Sequence, residues 1–227
     1  MASLALILVL SYLLGAVPFS LIVARAHGVD LRQHGSGNAG ATNVWRVVGK
    51  GPGALAFVLD AGKGLVATLL LSQLRLGGES LAPLFGPYAP AWAAVLAGAA
   101  AMMGHVVTIW GRLFFGSFKG GKGVATGAGM LLGLIPLAIG VGVLVFAATM
   151  ALTRYVSLGS ILAATSLPVT LAVQRAFGVD VPPPLWGFAL VVPLFIVWTH
   201  RSNVKRLLNG TEPRLSDPAG RVNKQDA

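Results

Sequence analysis

Apolar runs long enough to cross a lipid bilayer constrain this chain more than any other feature in it. They cover residues 2–24, 64–74, 91–110, 124–153, 156–173 and 185–198, and the second extends back through residues 54–59 to complete a crossing. A helix spans the hydrocarbon core with about 20 predominantly apolar residues. Hydrophobic residues make up 55% of the 227 and charged ones only 11%, against roughly 25% charged in soluble domains. With a mean hydropathy of +0.77, no aqueous fold could cover so much apolar side chain. The chain reads as an all-α polytopic integral membrane protein with one domain, residues 1–212, and a polar, flexible cytoplasmic tail, 213–227. The first run has no basic segment before it and no small-residue cleavage site after it, so it reads as a retained span.

Hydropathy alone counts six spans. The run 124–153 is too long for one crossing, however, and holds Pro136 near its middle, where a missing N–H breaks a helix. Charge separates six from seven, because cytoplasmic loops collect Lys and Arg. The basic segments are Arg25, Arg32, Arg46 and Lys50, then Arg112, Lys119 and Lys122, then Arg201, Lys205, Arg206, Arg214, Arg221 and Lys224. Placing all of them on one side requires an even number of spans after the second segment, and a split at Pro136 supplies it. About seven transmembrane helices, some short, are therefore expected, with the amino terminus outside and the carboxyl terminus cytoplasmic. Glycines at small-xxx-small spacing, such as Gly123 and Gly127 or Gly129 and Gly133, predict close helix contacts in lipid.

The balance of 17 Lys and Arg against 7 Asp and Glu suits anionic headgroups and anionic substrates, beyond what the positive-inside rule explains. With zero cysteines, the chain has no disulfide, thiolate nucleophile or Cys-ligated zinc. No motif calls for a metal or redox cofactor.

Three polar islands interrupt the apolar pattern. The first, Gly35-Ser36-Gly37-Asn38-Ala39-Gly40-Ala41-Thr42-Asn43-Val44-Trp45-Arg46, contains a formal GxGxxG. That dinucleotide fingerprint has meaning only between a strand and a helix of a βαβ unit, and here it follows a membrane span. What remains is an anion site: glycine N–H groups, donors on Ser36, Asn38 and Asn43, and Arg46 for charge-assisted contacts.

The second island, Phe118-Lys119-Gly120-Gly121-Lys122-Gly123, opens directly into an apolar helix. It fits GxxxxGK, yet Gly123 stands where a nucleotide-binding P-loop needs Ser or Thr for magnesium. Two lysines and glycines at a helix start make either an anion site or a basic anchor at the membrane face. The third island, His200-Arg201-Ser202-Asn203-Val204-Lys205-Arg206-Leu207-Leu208-Asn209-Gly210-Thr211-Glu212, places His200 and Asn203 on one helical face, with Glu212 able to clasp an arginine. Asp60 and Lys63, at i,i+3 in the second span, are expected to neutralise each other near its cytoplasmic end.

In this order and context, GSGNAGATNVWR, GH followed by FKGGKGVAT, and HRSNVKRLLNGTE resemble the PlsY family, the bacterial membrane glycerol-3-phosphate acyltransferases that use acyl phosphate as donor. The likeness covers essentially the whole chain. It implies seven helices in the bacterial inner membrane, an active site at the cytoplasmic side, and transfer of an acyl group to the sn-1 hydroxyl of glycerol 3-phosphate, giving lysophosphatidic acid and phosphate. This is the first acylation of phospholipid biosynthesis.

The resemblance further implies catalytic roles for Ser36, Arg46, His200 and Asn203. Substrate or phosphate contacts would come from Gly35, Gly37, Asn38, Asn43, Lys119, Gly120, Gly121, Lys122 and Gly123, with Glu212 structural. The partners are the two substrates and membrane lipid, with no cofactor and no nucleic acid. The stretch VVTIWGRLFFGSF after His105 is longer than usual in the family, so no role carries over to His105. The HxxxxD pair of acyl-CoA-using glycerolipid acyltransferases is absent, since Trp110 and Lys205 occupy the acidic positions. The mechanism expected is direct transfer in a ternary complex, with His200 or a substrate phosphate as the proton acceptor. The rival class is a carrier of phosphate-containing solutes, which also gathers cations beside broken helices.

Overall fold

A computed structural model describes residues 1–217. Within them the chain is helical: α1 (Ala2–Gly15), α2 (Phe19–Ala26), α3 (Ala41–Val47), α4 (Lys50–Leu69), α5 (Ala82–Phe85), α6 (Ala89–Val106), α7 (Ile109–Phe115), α8 (Val124–Leu134), α9 (Pro136–Thr153), α10 (Val156–Ala176), α11 (Pro183–Thr199) and α12 (Arg201–Leu208). The only extended pairing among the described residues is a bridge between Val107 and Lys119.

Five helical stretches are long and apolar enough to cross a membrane: Ala2–Ala26, Lys50–Gln73, Ala82–Val106, Pro136–Thr153 and Val156–Ala176. A sixth is the pair α11 and α12, bent by 64°. The short apolar helix α8, with 11 residues, reaches about 16 Å. The expected break at Pro136 is present. α8 ends at Leu134, Ile135 is non-helical at φ −145° and ψ 76°, and Pro136 starts α9 in the first-turn position its ring favours. A second break falls at Pro18, between α1 and α2, inside the run read as one first span.

The spans pack as neighbours α1 on α6, α4 on α8 and α9 on α10. Between α4 and α8 the fit is backbone to backbone. A Cβ on Gly64 would strike the Thr126 carbonyl, and one on Gly129 the Ala61 carbonyl. Small residues allow this approach, which supplies dispersion contact where lipid gives no hydrophobic drive. Leu144, Leu152 and Leu194 are large apolar side chains exposed on the helices, as suits spans surrounded by lipid.

All three basic islands meet at one end of the bundle. Arg32 donates to the carbonyls of Phe115 (2.5 Å) and Ser117 (3.1 Å), joining the first island's loop to the second. Lys122 bonds Asn203, joining the second to the third. At the other end, the Met1 amino group meets Glu79, and Ser3 N–H donates to the same carboxylate at 2.7 Å. The segment 213–217, expected to begin a flexible tail, packs against the α9–α10 junction: Leu215 N–H donates to the Arg154 carbonyl at 3.0 Å, and Arg214 lies over the Tyr155 ring. The remainder of the expected tail, including Arg221 and Lys224, lies outside the described residues.

Candidate active site

The islands close one end of a cavity of about 530 Å³. Ser36, Asn38, Arg46, Lys122, His200, Asn203, Arg206 and Glu212 line its polar end. Phe57, Leu131, Ile139, Val143 and Phe146, from α4, α8 and α9, line an apolar arm continuous with it.

The first loop is held from within. Asn43 is buried at the start of α3, and its Nδ2 donates to the carbonyls of Leu31, His34 and Asn38, each at 3.1 Å, while its Oδ1 accepts from Ser36 N–H at 3.0 Å. Gly35 and Gly37 turn the chain with φ of +60° and +65°, a region that favours glycine. The Gly37 N–H donates to His34 and the Gly40 N–H to Asn38. The Asn43 side chain and the Gly37 and Gly40 amides thus shape the loop, while Ser36, Asn38, Gly40 and Asn43 all lie along the cavity wall.

The second loop is held by backbone bonds as well. Gly120 N–H donates to the Val106 carbonyl (2.9 Å) and Gly121 N–H to that of His105 (3.1 Å), so both are committed to the end of α6. Lys119 points outward, and its carbonyl accepts from Arg32 at 3.4 Å. Lys122 and Gly123 do line the cavity. Burial favours the uncharged form of Lys122 and lowers its pKa to about 8, against the attraction of Glu212.

The third island carries a network centred on Glu212. Its Oε1 accepts from Ser157 Oγ (2.6 Å) and Asn203 Nδ2 (2.7 Å), and its Oε2 accepts from Arg206 Nε (2.8 Å). Asn203 turns its Oδ1 to Lys122. His200 Nδ1 lies 2.8 Å from the Ile196 carbonyl. A carbonyl only accepts, so Nδ1 carries the hydrogen and Nε2 keeps a lone pair. Arg46 donates to the Pro213 carbonyl at 3.0 Å, and its Nε is buried without a protein partner. Burial lowers its pKa, opposed by Glu212 and Asp217.

Arg46, Lys122 and Arg206 lie around the Glu212 carboxylate, with Asp60 and His105 further along the same cavity wall, and the excess of positive charge at this end suits phosphate. Arg32, Ser157 and Leu215 also shape the site. Nothing in the sequence distinguished Arg32 from other loop cations, or Ser157 from other small residues in helices.

Asp60 and Lys63 pair at 2.8 Å. They lie midway along α4 and not near its end, and His105 approaches Asp60 at 3.5 Å.

A helical bundle of apolar spans, with a cationic pocket continuous with an apolar arm, is the architecture of an integral membrane protein. The chain belongs to the glycerol-3-phosphate acyltransferase family: the model of that description matches residues 5–210. It is 47% identical over 220 residues to the glycerol-3-phosphate acyltransferase of Salinibacter ruber, covering 95% of this chain and 94% of that one. It is 42% identical to that of Geobacter sulfurreducens, covering 90% and 94%. Among solved structures it is similar to PlsY (YgiH), an integral membrane glycerol 3-phosphate acyltransferase. The glycerol 3-phosphate form matches with a TM-score of 0.78 at 37% identity, over 93% of this chain and 95% of that chain. The lysophosphatidic acid form matches with a TM-score of 0.76 at 36% identity, over the same shares. Of the two classes the sequence left open, family membership selects acyltransferase over carrier.

Proposed function

We propose that this chain moves an acyl group from acyl phosphate to the sn-1 hydroxyl of glycerol 3-phosphate, by direct transfer at the cytoplasmic face of the bacterial inner membrane. The observation that carries this reading is the cavity itself, whose cationic end and apolar arm are continuous. Such a shape suits a reaction joining a small dianion to an acyl chain supplied by lipid. The glycerol 3-phosphate and lysophosphatidic acid forms of PlsY hold the acceptor and the product of such a transfer.

Acyl phosphate is already an activated mixed anhydride, so the protein's main tasks are alignment and charge stabilisation. The sn-1 oxygen attacks the acyl carbon and the carbon–oxygen bond to phosphate breaks, with phosphate leaving on its electron pair. His200 Nε2, the lone-pair nitrogen, takes the hydroxyl proton. Arg46 and Lys122 hold the phosphates, and Asn203, set between Lys122 and Glu212, fixes the lysine. Ser36 orients the acceptor.

The test is purified protein in detergent or lipid, given acyl phosphate and labelled glycerol 3-phosphate. Lysophosphatidic acid is expected; no product, or product from acyl-CoA alone, would overturn the proposal. His200→Ala should lower kcat by roughly 100-fold or more, and Arg46→Ala or Lys122→Ala should raise the KM for glycerol 3-phosphate. Unchanged kinetics in all three would remove the site assignment.

A further inference from the structure

The proposed reaction leaves Asp60, Lys63 and His105 without a task, although burying ionisable groups among membrane helices is costly. Their exposures are 1%, 2% and 7%. Asp60 Oδ1 meets Lys63 Nζ at 2.8 Å and His105 Nδ1 at 3.5 Å, while Asp60 Oδ2 accepts from Ser20 Oγ at 3.1 Å. Lys63 also donates to the Val17 carbonyl at 3.0 Å, beside the break at Pro18. The cluster thus ties the broken first span, α4 and α6 together at a single carboxylate.

His105 continues that chain of contacts into the second loop. Its carbonyl accepts from Gly121 N–H. A Cβ on Gly120 would strike that carbonyl, and one on Gly121 would strike the imidazole Nε2 while lying 3.0 Å from the Ala39 carbonyl. Gly121 is therefore held between the His105 ring and the first loop. The void left among Asp60, His105, Ser20 and the two glycines is about 10 Å³, room for about one water. Lys122 follows immediately in sequence.

We infer that Ser20, Asp60, Lys63 and His105 form a buried clamp, with His105 as a positioning residue that sets Gly120 and Gly121 and so the place of Lys122. The inference rests on the reading of Lys122 as a glycerol 3-phosphate contact. The ion pair is kept inside the bundle because it orients an imidazole against a loop that has no slack.

The experiment compares wild type, His105→Ala, Gly121→Ala and the double variant, by kinetics and by calorimetric binding of glycerol 3-phosphate. His105→Ala should raise both KM and Kd on the order of tenfold, as expected for a misplaced binding group, with kcat at saturation little changed. A merely structural role would reduce the active fraction, lowering apparent kcat without moving KM. The methyl of Gly121→Ala collides with the imidazole, so removing the ring should recover part of the loss in the double variant, a coupling between neighbours. If His105→Ala does not fold, His105→Gln keeps a hydrogen-bonding group near Asp60 but no ring against Gly121, and the same rise is expected. Unchanged affinity in a folded His105 variant, or simple addition of the two single effects, overturns the clamp alone. Wild type that fails to bind glycerol 3-phosphate overturns both the functional reading and the clamp.

Discussion

Lys122 shows how a buried environment sets the working range of one side chain. Burial brings its pKa down to about 8, so the ammonium is present below that pH and is lost as pH rises through it. The attraction for a substrate phosphate is lost with it. Between pH 7 and 9 the KM for glycerol 3-phosphate should therefore climb in wild type, whereas Lys122→Met should have a high KM that is flat over the same range. An equally steep rise in the variant would assign the titration to another group. The lysine itself stands out in the sequence because it opens an apolar helix after two glycines. Asn203 stands out too, beside His200 on one helical face, but nothing local links it to a lysine 81 residues away. Glu212 divides the same way: Arg206 is close enough in sequence to suggest a clasp, but Ser157, which gives Glu212 a hydrogen bond of 2.6 Å, is brought up only by the packing of α10.

At the scale of helices, the breaks were legible where the chemistry is local. Pro136 lacks the N–H that would continue α8, so the turn at Ile135 follows from one residue. Spacing pointed to Gly129 as a contact glycine, but what faces each glycine, on which close approach depends, was not legible. Gly129 lies against the α4 backbone at Ala61, whereas Gly140 and Gly62 have open space where a side chain would go. Gly129→Val should force α4 and α8 apart and cost about 1–3 kcal/mol, visible as a lower unfolding temperature in detergent. Gly140→Val, on an open face, should be nearly neutral. Equal losses in the two would contradict the packing described.

For the molecule as a whole, the apolar arm gives the cavity its direction from the charged end into the bundle. Gly142 lines this arm, and a Cβ there would meet nothing nearer than the Ala163 carbonyl at 3.7 Å. Gly142→Leu should fold and fill part of the arm. Relative kcat/KM for a series of acyl phosphates should then shift toward shorter chains; an unchanged profile would place the acyl group elsewhere.

The sequence by itself determined the membrane class, the helical segments, the extra break and the loops that carry the chemistry, because hydropathy, proline and charge act through a residue and its near neighbours. Tertiary structure alone decided which polar atoms are left for a substrate. Asn43 Nδ2 and the amides of Gly120 and Gly121 read in the sequence as phosphate donors, and packing supplies each of them with backbone carbonyls. Asp60, read as a partner for Lys63 alone, also receives Ser20 and His105 from other helices. A buried donor or acceptor has few hydrogen bonds to make, and helices distant in sequence determine which groups compete for them.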